Sequence, residues 1–252
     1  MGMRFAFLLI CGLVAMTAQA GRCVSESGPG TAALVELYTS EGCSSCPPAD
    51  RWLSGLGKRH PPASVVPLAL HVDYWDYIGW KDPYAKREFA LRQRKLSQLQ
   101  RLAFVYTPQV LLQGRDFRAW GTKTFDETVA RINARPARAR LKLEVLGTGA
   151  KGLEVEARAE LVQPSPEAAL YLAAYQGRLE SRVTAGENRG RLLTHDYVVL
   201  EWLGPFAVGG ALVERRTLPL LPGAAPAHSG VAAFVQDRRT GEVLQALLRS
   251  TC

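Results

Sequence analysis

The chain is poor in the residues that hold metals or cross-link polypeptides. Its four histidines, His60, His71, His195 and His228, stand apart from one another, and there are only five cysteines. A structural zinc ion takes four such ligands, usually as two close pairs. One close pair exists, Cys43 and Cys46, and nothing nearby completes it. Zinc is therefore set aside, and no metal or cofactor is expected. Long Lys/Arg runs are also missing, although the formal net charge is +8. Scattered basic residues of this kind read as a solvated surface, and no nucleic-acid partner is expected. Beyond residue 20 no apolar run is long enough to span a bilayer. Internal repeats and low-complexity blocks are absent, and 47% hydrophobic with 21% charged residues excludes wholesale disorder.

What is present begins with Met1 to Ala20: Arg4, the apolar run Phe5 to Met16, then Ala18-Gln19-Ala20. This pattern is that of a secretory leader with a small-x-small cleavage site. The mature protein is expected to be periplasmic or secreted, with no stable membrane insertion once the leader is removed. Cys11 leaves with it. Cys23 and Cys252 remain at the two ends, where they either form a disulfide tying the termini together, the expectation in an oxidising compartment, or are free or paired with another protein.

The central stretch is Leu34 to Asp50. It opens with apolar, β-favouring residues and passes through Thr39-Ser40-Glu41-Gly42 to Cys43-Ser44-Ser45-Cys46. Pro47-Pro48 and a helical pattern follow. Both cysteines fall at a strand-to-helix junction, where free amides and the helix dipole favour a thiolate. Cys43 reads as the nucleophile and Cys46 as the partner that resolves a mixed disulfide. A second strand pattern, Ser64 to Val72, ends in His71, and the Trp/Tyr-rich segment Asp73 to Pro83 follows it. Trp75, Tyr77 and Trp80 are expected to wall a groove beside the cysteines, the alternative being a loop folded onto the core by its own aromatics. Helices are expected over Tyr84–Leu99 and Thr124–Asn133, with Gln109 to Gly114 as a strand between them.

The strand–CxxC–helix opening and the later Tyr106-Thr107-Pro108 resemble the thioredoxin fold, closest in its glutaredoxin style of opening. That resemblance implies a cis peptide at Pro108, with Thr107 contacting substrate. It also implies a buried acid on the first strand, which is Glu36, relaying a proton to the resolving thiol.

From Arg135-Pro136 onward the composition shifts. Short alternating segments are expected as strands over 141–146, 153–161, 169–176, 193–202, 211–218, 230–236 and 244–248. The expected organisation is thus a leader over 1–20, an α/β thioredoxin-like domain over 21–135 and an all-β, sandwich-like domain over 138–252. The polar stretch Glu187 to Val199 reads as a hairpin connection, or as a segment bringing His195 and Asp196 to the cysteines, with His195 as a base. Together, residues 35–50, Tyr106 to Val110, and Glu187-Asn188-Arg189-Gly190 through His195-Asp196 resemble the family of domain of unknown function 1223.

The function expected is thiol–disulfide exchange on a protein or small-thiol substrate, with a redox partner the sequence does not name. Two alternatives stand beside it. One is a non-enzymatic binding or scaffold protein with a static Cys43–Cys46 disulfide. The other is a copper-handling protein in which a distant histidine such as His71 joins the pair.

Overall fold

The computed structural model describes residues 23–149, 151–221 and 228–251. The leader, including Cys11, and Cys252 lie outside them. Strands dominate. In chain order they are β1 (Cys23–Glu26), β2 (Ala33–Thr39), β3 (Val65–His71), β4 (Gln109–Leu112), β5 (Arg115–Asp116), β6 (Ala139–Gly149) and β7 (Gly152–Leu161). They continue as β8 (Ala168–Gln176), β9 (Leu179–Arg182), β10 (Leu192–His195), β11 (Val198–Ala207), β12 (Ala211–Leu218), β13 (Ser229–Asp237) and β14 (Val243–Ser250). Four α-helices are interspersed among the described residues, α1 (Pro47–Ser54), α2 (Leu56–Arg59), α3 (Arg87–Leu99) and α4 (Lys123–Asn133), with a 3-10 helix over Asp73–Ile78.

The sheet topology overturns the expected fold class. One eight-stranded sheet runs β14-β13-β8-β11-β3-β2-β4-β5, drawing strands from both sides of Arg135-Pro136. A second, four-stranded sheet, β1-β6-β7-β12, likewise takes β1 from the early part of the chain. The architecture is thus mostly β, built on one mixed sheet, and not an α/β thioredoxin-like domain followed by a separate sandwich. The physical reason lies at β3. Its far side does not form the edge of a small sheet but accepts β11 in parallel, through the Val198–Ala69 bridge and the Ala69 N–H donating to Tyr197 O. Pro67, two residues earlier on that same side, has no N–H to offer, and β11 makes no ladder with it.

Period-2 alternation serves both faces of the large sheet. Leu34 and Tyr38 of β2, Tyr171 of β8 and Phe234 of β13 pack with Phe89 and Leu96 of α3 on one face. On the other face Val35 and Leu37 meet Ala49 and Leu53 of α1 and Phe125 and Val129 of α4. Farther along that face, Leu170, Leu172 and Val235 pack against Leu143 and Val155 of the four-stranded sheet. Two cores fill one side of the sheet and a third fills the other. Each buried Leu, Val or Phe contributes roughly 1.5–3 kcal/mol by leaving water.

Candidate functional site: a cysteine pair over a buried acid–histidine chamber

The cysteines sit where β2 gives way to α1. Pro47 and Pro48 occupy the first two helical positions, with Cys46 as N-cap. Two of the amides expected to attract a thiolate therefore do not exist, and the Ala49 and Asp50 N–H groups donate to Cys46 O at 2.9 and 3.1 Å. Stabilisation of Cys43 comes instead from side chains. Both cysteines are free thiols. Hydrogen bonding from the Cys46 thiol draws Cys43 down to about 6 against the opposing effect of burial, with help from Ser45 and the Thr107 segment. Cys43 Sγ lies 3.2 Å from Ser45 Oγ and 3.8 Å from Thr107 O. Burial pushes the Cys46 thiol well up, and the charges of Cys43 and Asp50 push the same way. Cys43 is itself only 1% exposed, while Ser44 and Ser45 beside it are open to solvent.

Thr107 and Pro108 arrive where the sequence places them, joined by a cis peptide. Trp75 Nε1 donates to Thr107 Oγ1 at 2.7 Å, so Trp75 does border the cysteines. Tyr77 is 82% exposed. Glu36 is the clearest correction among the site residues. Strand alternation puts it on the α3 face of the sheet, with Leu34 and Tyr38, whereas α1 and the cysteines lie on the opposite side. There it accepts from Arg92 Nε at 2.6 Å.

The acid near the cysteines is Asp50, one helical turn after Cys46 and on the same face. Its Oδ1 accepts from Thr39 Oγ1 at 2.8 Å. Burial raises its pKa, partly offset by the nearby His195 and His71. His71 Nδ1 pairs with Asp82 Oδ2 at 2.7 Å, and His195 Nε2 with Glu41 Oε1 at 3.0 Å. The two imidazoles meet edge to face, with centroids 5.0 Å apart. Both histidines singled out by the sequence therefore reach this region. Asp196 does not: its Oδ1 caps the Arg178 N–H at 2.9 Å, beside Gly177. Cys23 is buried at the start of β1, and its expected partner, Cys252, is outside the described residues.

Besides Asp50, four neighbours of the site had no role assigned from the sequence. Glu41 and Asp82 complete the histidine pairs. Asn188, fully buried, donates from Nδ2 to Glu41 O at 2.8 Å and Cys43 O at 2.9 Å. Glu187 accepts from Ser44 N and Ser44 Oγ at 2.8 and 2.7 Å. The link between β9 and β10 thus clasps the cysteine loop from 143 to 147 residues away. Gly186 makes that approach feasible, with φ +71° and the Ile78 side chain 3.0 Å from where a Cβ would stand. The run Glu187-Asn188-Arg189-Gly190 was the available signal, but polar residues around a glycine equally describe an ordinary turn.

Among the described residues no cluster of three or more His, Cys, Asp or Glu side chains is arranged to hold a metal ion, and no helix is long and apolar enough to cross a membrane.

The model of the family described as "Protein of unknown function (DUF1223)" matches residues 34–236, from β2 into β13. The chain belongs to the DUF1223 family. The match takes in the cysteine pair, Asp50, both histidines and the clasp of this DUF1223 protein. No curated protein matches it. Among solved structures, protein AGR_C_4864 from Agrobacterium tumefaciens is similar, with TM-score 0.65, 24% identity, 89% of this chain covered and 96% of that one. HBP35 of Porphyromonas gingivalis is similar with TM-score 0.65, 14% identity and coverage of 89% and 76%. These two likenesses concern the fold.

Proposed function

We propose that this protein is an exported thiol–disulfide oxidoreductase whose working groups are Cys43 and Cys46. The observation that carries the reading is geometric: two free thiols three residues apart at a strand-to-helix junction, with Cys43 Sγ 3.2 Å from Ser45 Oγ and 3.8 Å from Thr107 O. This arrangement draws Cys43 down to about 6, while burial pushes Cys46 well up. At pH 7 a thiol titrating near 6 is roughly nine-tenths ionised, and the thiolate is the form that attacks a disulfide. In the reductive direction Cys43 attacks a substrate disulfide, forms a mixed disulfide and expels the first substrate thiolate. Cys46 then attacks Cys43 Sγ, forming the Cys43–Cys46 disulfide and releasing the second substrate thiolate. The protein dithiol is oxidised and the substrate disulfide reduced. Run backwards, the same steps oxidise a substrate dithiol.

The Thr107 carbonyl beside Cys43 offers a backbone acceptor to an extended chain. An open groove of about 400 Å³, lined by Phe104, Tyr106, Arg118 and Trp120, begins one residue away. Both features favour a polypeptide over a small thiol. The near-complete burial of Cys43 means that the clasp or the Thr107 loop moves aside before attack. The same burial favours a second reading, a binding protein in which the pair never turns over.

Insulin reduction with dithiothreitol as reductant separates the two. Exchange chemistry gives turnover that Cys43→Ala abolishes. A wild-type rate no greater than that of Cys43→Ala leaves the binding reading.

A further inference from the structure

Of the aromatic residues near the cysteines, Trp80 is engaged inside, its Nε1 donating to Glu41 Oε2 at 2.8 Å. The open groove next to Thr107 is walled by Phe104, Tyr106, Arg118 and Trp120. Its aromatic part is braced. Trp120 packs on Trp52 of α1 with ring centroids 5.2 Å apart, and Trp52 meets Phe125 of α4 at 5.0 Å. Phe104 stands edge to face with Tyr106 at 6.2 Å, yet is 64% exposed. An exposed phenyl ring on the rim of a braced groove leaves apolar area for a partner to cover.

The charge here has one sign. Between residues 101 and 123 the basic residues are Arg101, Arg115, Arg118 and Lys123, all exposed, and the one acid is Asp116. Asp116 is already engaged. Its Oδ1 accepts from Tyr106 Oη at 2.8 Å and Gln109 Nε2 at 2.9 Å, and its Oδ2 from Arg118 Nε at 3.2 Å. The Asp116 side chain is 11% exposed and that of Arg118 71%. The Arg118 guanidinium lies over the Tyr106 ring, 5.4 Å from its centroid. One contact at Nε does not exhaust five N–H donors, so a further carboxylate can still be taken. Because the guanidinium is already held at Nε and stacked on a ring, less freedom is lost when it binds.

We infer that this groove reads an acidic residue beside an aromatic one in the polypeptide substrate, with Arg118 as the residue that sets the preference. Its use beside the sulfurs rests on the exchange reading above. Thr107 O is 3.8 Å from Cys43 Sγ, and Tyr106 is the next residue. A substrate chain extended along 104–107 advances about 3.3 Å per residue, so positions about two or three residues from its reacting cysteine reach the groove. There the aromatic side chain covers Phe104 and Trp120 while the carboxylate pairs with Arg118. A polypeptide supplies both groups along one extended strand.

The test uses two synthetic peptides, each closed by one disulfide, with Phe next to either Glu or Lys about two residues outside each cysteine. Their reduction is followed with dithiothreitol as reductant, over concentrations that separate kcat from KM. The wild type prefers the Glu peptide about tenfold in kcat/KM, nearly all of it in KM, and the preference shrinks as salt is raised. Arg118→Lys keeps the direction of the preference and Arg118→Glu reverses it, which a merely structural role for the guanidinium does not require. The salt dependence of the wild type decides the matter if Arg118→Glu fails to fold. Equal kcat/KM for the two peptides, a preference indifferent to salt, or one unchanged in Arg118→Glu overturns the inference and leaves the exchange reading standing. Should the wild type reduce neither peptide, their binding to Cys43→Ala is measured by tryptophan fluorescence. Tighter binding of the Glu peptide then keeps the groove and overturns the exchange reading alone, and equal binding overturns both.

Discussion

Two groups of buried charge lie on opposite faces of β2, and they are balanced in different ways. On the α3 face Glu36 is paired with Arg92, whose guanidinium is 4.6 Å from the Trp202 ring centroid and 5.3 Å from those of Tyr171 and Phe234. On the α1 face three carboxylates share two histidines, and two buried imidazole nitrogens, His71 Nε2 and His195 Nδ1, have no hydrogen-bond partner, as Glu36 Oε2 has none on the α3 face. Arginine stays charged at any pH a protein meets, so the first group is fixed. The second group is instead built on histidine, whose ordinary pKa lies near neutrality. The difference separates charge fixed by arginine from charge that rests on imidazole.

The largest expected effect tests the fixed side. Arg92→Ala leaves Glu36 buried and unpaired, and urea unfolding should show a loss of about 3–5 kcal/mol. The pH profile of Cys43 alkylation in the folded protein should not move. Asp50→Asn should do the reverse, lowering the pH at which Cys46 becomes reactive while changing stability by only about 1 kcal/mol. Equal losses of stability from the two variants would erase the distinction between the faces.

Next in size is the clasp. Asn188→Ala strands two buried carbonyls, and a loss of about 2 kcal/mol is expected. Cys43 alkylation in the same variant should be faster than in the wild type, because the loop over it is released. An unchanged alkylation rate would detach the clasp from access to the sulfur.

A smaller effect is a matter of pH. Burial alone would lower the His71 pKa, but the Asp82 carboxylate raises it above its ordinary value. Burial would raise Asp82, yet His71 holds it below the usual carboxylate range. A raised imidazole stabilises the fold below its unfolded pKa, and that contribution fades as pH rises through the folded value. A lowered carboxylate stabilises above its unfolded pKa, and that contribution fades as pH falls through the folded value. The pair therefore contributes most between about pH 4 and 6.5. The Tm difference between wild type and Asp82→Asn should be widest there and shrink on either side. A pH-independent difference would mean that the pair is held by packing alone. Smallest of all, Ser45→Ala should raise the Cys43 midpoint slightly, through loss of the 3.2 Å contact, and Tyr77→Ala should leave it unchanged.

Local pattern carried most of the elements. The alternation and helical spacing that point to β2, β3, α3, α4 and β6 through β8 are properties of neighbouring residues, and those elements formed. Partnership between strands is not a local property. Nothing in Ser64 to Val72 says that its free side will accept β11, and that one pairing turns an expected two-part chain into a shared sheet. One expected strand, 193–202, divides at Asp196-Tyr197, where Tyr197 adopts φ +58°. Within the site, Cys43, Cys46, Trp75, His71 and His195 were legible because each residue type carries its own chemistry, whereas Thr107 and the cis Pro108 came from the resemblance alone. Glu36 misled because the register of a resemblance chose the strand acid, while strand alternation turned it to the far face. Asp50 was missed, although its i+4 spacing to Cys46, a relation that follows from the helix alone, was the available signal.

The most direct test of the account is the rate of Cys43 alkylation against pH in the reduced wild-type protein, with the modified sulfur identified by mass spectrometry. The account expects Cys43 to react first, with a midpoint of about 6, while Cys46 stays protonated far above it. A Cys43 midpoint near 8.5, the ordinary value for a free cysteine, or equal reactivity of both sulfurs, would contradict it.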